Sequence, residues 1–292
     1  FNFLCILFVA MAKDIKQKMV SLMDLTTLDK DSDTEEKVKQ LVEQGSAENA
    51  LVTEVAAVCV YPEFVSCAKS KIASCLPGSK MRVATVVNFP SGDGDLKEIE
   101  QDTKAALDFG ADEIDLVICY KEYLESSKTG QGQSPKSCKL VQSIKDLIQQ
   151  HARGGSPCCL KVILETGELK TLDLIRKASQ DALEHGADFL KTSTGKTAAG
   201  ASLEAARVML EVIKEHSLKG VKDTDGPRCG LKISGGVRTF EDALGYMQLV
   251  KEVLAEDASE FLSPKTFRFG VSGLLSNLLR EDAKGPASGS AY

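Results

Sequence analysis

Eight short, nearly continuous apolar runs punctuate the chain, and they restrict its fold more than any other feature. They occupy residues 20–25 (VSLMDL), 57–61 (AVCVY), 83–88 (VATVVN), 113–119 (EIDLVIC), 160–165 (LKVILE), 189–192 (FLKT), 231–234 (LKIS) and 267–271 (FRFGV). Runs of this length and β-rich content read as strands covered on both faces, the pattern of a parallel sheet rather than of a half-solvated antiparallel one. Between them lie segments with apolar residues at i, i+3 and i+4. Residues 96–109 stop at Gly110, residues 172–184 stop at His185-Gly186, and residues 203–214 form a third. A glycine just past the last periodic residue is a helix stop signal. The strings FGADEID and HGADFLK repeat one unit of helix end, glycine, Ala-Asp and strand.

Strand starts recur every 25 to 45 residues or so, the spacing of βα units. Eight units predict an α/β fold of the (β/α)8 TIM-barrel type as a single domain; a doubly wound sheet is the alternative. The first strand lacks the glycine-rich turn of dinucleotide-binding sheets, which favours the barrel. The barrel domain is expected over residues 15–280. Residues 1–14 read as an N-terminal extension foreign to the domain, with membrane targeting as a second reading of FNFLCILFVAMA. That run lacks a basic segment before it and is too short to span a bilayer. Residues 125–157 hold two turn-rich linkers around one helix, and residues 281–292 (EDAKGPASGSAY) have the composition of a flexible tail.

A net charge of −6 supplies no basic field for nucleic acid. Nine cysteines without a CxxC pair, and three histidines in all, suit free thiols in a reducing, cytoplasmic setting better than a metal centre. The expectation is a protein without metal or cofactor, with neither nucleic acid nor membrane as partner.

Barrel chemistry sits at the C-terminal ends of the strands. Charged residues inside apolar strands are costly unless paired, and here they are Asp24, Asp115, Lys161, Glu165, Lys191 and Lys232. One reading is a buried ion-pair network without chemistry. The other takes Lys191 and Lys232 together, since adjacent strands carry them at similar height. Burial and a neighbouring ammonium both lower a lysine's pKa, and a neutral amine can attack a carbonyl to form a Schiff base. Asp115 could then move a proton. A second theme is phosphate. Gly235-Gly236-Val237-Arg238 follows strand seven, and Gly270-Val271-Ser272-Gly273 follows strand eight and opens a leucine-rich helix. Backbone N–H groups at these two positions form the usual phosphate cradle of a barrel, and Thr194-Gly195-Lys196 after strand six adds a hydroxyl and a cation.

The motifs LMDLTTL, AAVCVYP, VATVVNFPSG, GADEIDLV, LKVILETGEL, GADFLKTSTGK, LKISGGVRT and FRFGVSGLL, in this order over residues 15–280, resemble the deoxyribose-phosphate aldolase family. The resemblance implies a TIM barrel and reversible cleavage of 2-deoxy-D-ribose 5-phosphate to D-glyceraldehyde 3-phosphate and acetaldehyde. It implies Lys191 as the Schiff-base lysine, Lys232 as its partner, Asp115 as the proton-transferring carboxylate, and Tyr292 as a C-terminal residue that can reach the site. By the same resemblance Asp24 and Cys59 belong to the substrate pocket; position at the strand ends adds Lys161, Thr194, Gly195 and Lys196 as substrate-binding candidates and Gly235, Gly236, Arg238, Gly270 and Ser272 as phosphate-binding candidates. A homodimer is also expected. Two departures stand out: Gly273 replaces a serine that many relatives carry, and the 125–157 segment is longer than in bacterial relatives. The alternatives are a non-catalytic adaptor on the same scaffold and an aldolase for another sugar phosphate.

Overall fold

The strands pair in parallel, in chain order, and close on themselves. They are β1 (Met23–Thr26), β2 (Ala57–Val60), β3 (Arg82–Val87), β4 (Glu113–Val117), β5 (Cys159–Ile163), β6 (Phe189–Lys191), β7 (Gly230–Ser234) and β8 (Phe267–Val271). Closure is made by β1 on β8, with Asp24 opposite Gly270. This is the (β/α)8 barrel that the spacing predicts, seen in a computed structural model that describes residues 2–48, 51, 53–128, 130, 134–152, 158–219 and 229–284.

The helices in chain order are α1 (Asn2–Ser21), α2 (Glu35–Gln44), α3 (Val65–Cys75), α4 (Leu96–Asp108), α5 (Tyr120–Lys128) and α6 (Pro135–His151). They continue as α7 (Thr166–Leu169), α8 (Leu172–Glu184), α9 (Leu203–Lys219), α10 (Phe240–Leu254), α11 (Ala258–Phe261) and α12 (Leu274–Lys284). Their apolar stripes cover the outer face of the barrel, so strand residues such as Val58, Ile114, Leu116, Leu160, Val162, Leu190 and Ile233 are wholly buried between sheet and helices. Among the described residues no helix is long and apolar enough to cross a membrane.

The repeated Gly-Ala-Asp unit does the same work twice. Gly110 and Gly186 leave α4 and α8 at φ +93° and +99°, a left-handed conformation that glycine adopts without a Cβ penalty. The N–H groups of Ala111 and Ala187 then donate to Ala106 and Ala182. Asp112 Oδ2 accepts from Val83 N–H, and Asp188 Oδ2 accepts from Leu160 N–H. Lys69 and Lys145 pair with these two aspartates. Each unit thereby pins a new strand to its neighbour at one register.

Several boundaries differ from the sequence expectation, three of them by more than a frayed end. The run 20–25 is not all strand: Val20 and Ser21 complete α1 and the strand begins at Met23, because a buried helix end and a buried strand present the same apolar run. The expected divide after residue 14 falls inside α1, and α12 continues past residue 281 to Lys284.

Candidate active site

Parallel register brings the charged strand residues together. Asp115 is the Cα partner of Lys161, Lys191 of Lys232, and Lys232 of Arg268. All of them point into the barrel, where Asp115 accepts from three lysines. Its Oδ1 is 2.7 Å from Lys161 Nζ, and its Oδ2 is 2.7 Å from Lys191 Nζ and 2.8 Å from Lys232 Nζ. Below it, Lys232 pairs with Asp24 at 2.6 Å and Lys161 with Glu113 at 2.5 Å. Arg268 closes the lower layer by bridging Asp24 at 2.5 Å and Glu113 at 3.0 Å.

The buried group is thus four cations, Lys161, Lys191, Lys232 and Arg268, against three carboxylates, Asp24, Glu113 and Asp115, with the partly exposed Arg82 reaching Glu113 at 3.1 Å from its edge. Fully ionised, the wholly buried side chains carry one excess positive charge, to which Arg82 adds at the solvent edge; a neutral lysine relieves that excess. Buried charge is tolerated when paired and expensive when not, so the cation with fewest partners gives up its proton most readily. That cation is Lys191. It touches Asp115 alone, whereas each of the other three has at least two carboxylate partners.

The direction of each pKa follows. For Lys191 burial is the largest influence and lowers the pKa; Asp115 opposes it and the Lys232 charge adds to it, leaving the group below the ordinary lysine value. Burial acts on Lys232 and Lys161 as well, but their carboxylate neighbours outweigh it and hold both above that value. Asp115 resists burial through its three lysines and stays well below the usual carboxylate range. Asp24 and Glu113 are lowered too, their cations outweighing burial. Both influences expected from the sequence, burial and the neighbouring ammonium, act on Lys191, and burial is the greater.

Above this cluster, at the C-terminal ends of β6, β7, β8 and β1, opens a cavity of about 850 Å³. Of the three lysines only Lys191 lines it. Thr194, Gly195, Lys196, Gly235, Gly236, Arg238, Gly270 and Ser272 line it as well, so every expected phosphate residue and the whole β6 turn reach one space. Asp115, Lys232, Lys161 and Asp24 lie beneath its floor, linked to it through Lys191. Cys59 is buried with Leu28, Tyr61, Ala84 and Val86, where burial pushes its thiol pKa up. Tyr292 lies outside the described residues.

Several residues escaped sequence reasoning. Arg268 and Glu113 satisfy the same criterion as the lysines, a charge inside an apolar strand, and were detectable on that ground. Thr26, Thr27 and Ser234 also line the cavity; a hydroxyl at a strand end carries no comparable signal. The loops are tied to one another: Asn277 Nδ2 of α12 donates to the Arg238 carbonyl at 2.9 Å, and a Thr239–Asp242 capping box starts α10. These bonds fix the two glycine turns relative to each other.

Residues 18–272 match the family model of the DeoC/LacD aldolases. The chain belongs to the DeoC/LacD aldolase family. The match runs from the end of α1 to Ser272 and so contains the whole barrel and every described candidate residue. A protein of Toxoplasma gondii ME49 provisionally assigned as a deoxyribose-phosphate aldolase has a similar structure, with a TM-score of 0.75 at 25% identity, covering 96% of this aldolase and 99% of its own chain. A similarly assigned protein of Coccidioides immitis gives 0.68 at 25% identity, with 91% and 87% covered. The tetrameric deoxyribose phosphate aldolase of Aeropyrum pernix shares the fold, at a TM-score of 0.64, 22% identity and coverage of 94% and 92%.

Proposed function

We propose that this aldolase reversibly cleaves 2-deoxy-D-ribose 5-phosphate to D-glyceraldehyde 3-phosphate and acetaldehyde, with Lys191 as the Schiff-base nucleophile. The observation that carries the reading is the position of Lys191. It is the least compensated amine of a buried charge cluster, and it alone among the three lysines opens to a cavity that Gly235, Gly236, Ser272 and Lys196 also line.

Neutral Lys191 attacks C1 of the open-chain sugar, and the carbinolamine loses water to give an iminium. Acetaldehyde comprises C1 and C2, so the bond that breaks is C2–C3. Its electrons flow to the iminium as the C3 hydroxyl loses its proton, leaving a C3 aldehyde on glyceraldehyde 3-phosphate and an enamine on Lys191. Protonation of the enamine at C2 and hydrolysis release acetaldehyde. Asp115 and Lys232 form the proton relay under the nucleophile, with Tyr292 as a further donor. The glycine turns with Arg238 and Lys196 hold the phosphate, remote binding that positions the reacting carbons. Asp24 orients Lys232, Lys161 holds Asp115 from the opposite side, and Cys59 walls the adjacent apolar interior.

The same reading includes a reducing cytoplasmic setting, supported by eight free cysteines among the described residues. It also includes self-association as a homodimer; sedimentation of the purified chain tests it. The test of the activity is borohydride reduction with deoxyribose 5-phosphate or acetaldehyde, followed by peptide mapping. A two-carbon adduct on Lys191 is expected, and an adduct elsewhere, or none, overturns the assignment.

A further inference from the structure

Glu165 is a wholly buried carboxylate that the reaction above does not use. It does not line the cavity, and among the described residues no lysine or arginine forms an ion pair with it. Burial raises its pKa. Its partners are all on the β6 loop: Thr194 Oγ1 donates to Oε2 at 2.5 Å, Thr194 N–H reaches the two oxygens at 3.3 and 3.4 Å, and Thr197 Oγ1 donates to Oε1 at 3.3 Å. Thr194 Oγ1 in turn accepts from Lys196 N–H at 3.0 Å.

An ionised carboxylate only accepts hydrogen bonds. The Thr194 hydroxyl must therefore point its proton at Glu165, which leaves a lone pair for the Lys196 amide. The chain of Glu165, Thr194 and Lys196 thus fixes the turn around Gly195, which lines the cavity. The backbone agrees with a dedicated role. Glu165 sits at φ 56°, ψ 59°, a left-handed conformation unfavourable for a residue with a Cβ. Glycine would relax it, and glycine brings no carboxylate.

The rest of the loop is clamped from both sides. A Cβ on Gly167 would meet the Ala199 carbonyl oxygen at 2.3 Å, and one on Gly200 would meet the Gly235 oxygen at 2.4 Å. Ala201 N–H donates to Gly235 O at 3.0 Å. The β6 loop is therefore a bridge from the end of β5 to the glycine turn after β7, with Glu165 holding the span between.

We propose that Glu165 is a positioning residue that sets the substrate's phosphate end: through Thr194 it aims the Gly195-Lys196 turn into the cavity. This rests on the phosphate reading above. The test compares kcat/KM for deoxyribose 5-phosphate and for unphosphorylated deoxyribose in wild type, Glu165→Gln, Glu165→Ala and Lys196→Ala, with acetaldehyde trapping at Lys191 as the measure of an intact nucleophile. Glu165→Ala is expected to lower the preference for the phosphorylated sugar by on the order of 10²-fold, the scale of a misplaced positioning contact, mainly through KM and with trapping intact. Glu165→Gln keeps one carbonyl acceptor and recovers part of that preference. Addition of Lys196→Ala to Glu165→Ala lowers it little further. An unchanged preference in Glu165→Ala overturns the proposal. So does equal loss on both sugars together with loss of trapping, which marks a purely structural residue. Wild type without any preference for the phosphorylated sugar overturns the phosphate reading itself, and the role of Glu165 with it.

Discussion

Lys191 and Lys232 are Cα partners in the register of β6 and β7, and both ammonium groups donate to the same oxygen, Oδ2 of Asp115. One carboxylate oxygen cannot neutralise two cations. Lys232 has Asp24 as a second partner at 2.6 Å and Lys191 has none. The asymmetry assigns the labile proton to Lys191.

Replacement of Lys191 by methionine is expected to abolish borohydride trapping and to lower kcat/KM by about 10⁴-fold or more, the scale for loss of a covalent nucleophile. The same change leaves three buried cations facing three carboxylates. The protein should therefore not lose stability and should gain about 0.5–2 kcal/mol, read by urea denaturation. A large loss of stability would contradict the charge count.

The rising limb of kcat/KM with pH should report Lys191, with an apparent pKa below the ordinary lysine value of 10.5. Lys232→Met removes a repelling charge and leaves Asp24 and Asp115 less neutralised. Both effects favour the protonated amine, so the limb should move to higher pH in this variant. A shift to lower pH would refute the role given to Lys232.

Arg268→Met should be costly for a different reason. The charge count is then the same as in the Lys191 variant, but two buried carboxylates each lose a partner at once, Asp24 keeping Lys232 and Glu113 keeping Lys161 and Arg82, so a loss toward the low end of the about 3–5 kcal/mol for removing one partner of a buried ion pair is expected. Denaturant titration, with the m-value unchanged, checks this.

Acid should weaken the fold through the same cluster. Asp24, Glu113 and Asp115 have folded pKa values below their unfolded ones. Each therefore contributes stability that is present above its unfolded value near pH 4 and is lost as pH falls through the folded one. Stability should drop steeply below about pH 4, and less so in a variant that replaces Asp24 and Arg268 together by apolar residues.

Gly270→Ala tests the crowding of the cavity floor. The new Cβ would meet Ser234 Oγ at 2.2 Å and Lys232 Cε at 3.0 Å. Overpacking of this kind costs about 1–3 kcal/mol, and displacement of Lys232 should lower kcat more than it raises KM.

The barrel was legible because its signals are local. Apolar runs of strand length, helical spacing between them and the twice-used Gly-Ala-Asp unit are each contained in a few consecutive residues. They determined eight βα units, with strand ends placed within about three residues of those observed. Lys191, Lys232 and Asp115 were visible because a charge in an apolar strand is anomalous wherever the strand lies. Thr26, Thr27 and Ser234 carry no such anomaly, and Arg268 and Glu113 were passed over although they do.

Which charge pairs with which is a matter of register across strands far apart in the chain: Asp115 and Lys232 are 117 residues apart. Only closure of the sheet decided that four buried cations meet three carboxylates, that Lys191 alone of the three lysines opens to the cavity, and that Glu165 answers to Thr194 rather than to a cation. A residue's own type sets what it can ionise or donate. Burial and neighbours, which exist only in the folded barrel, set which proton it gives up.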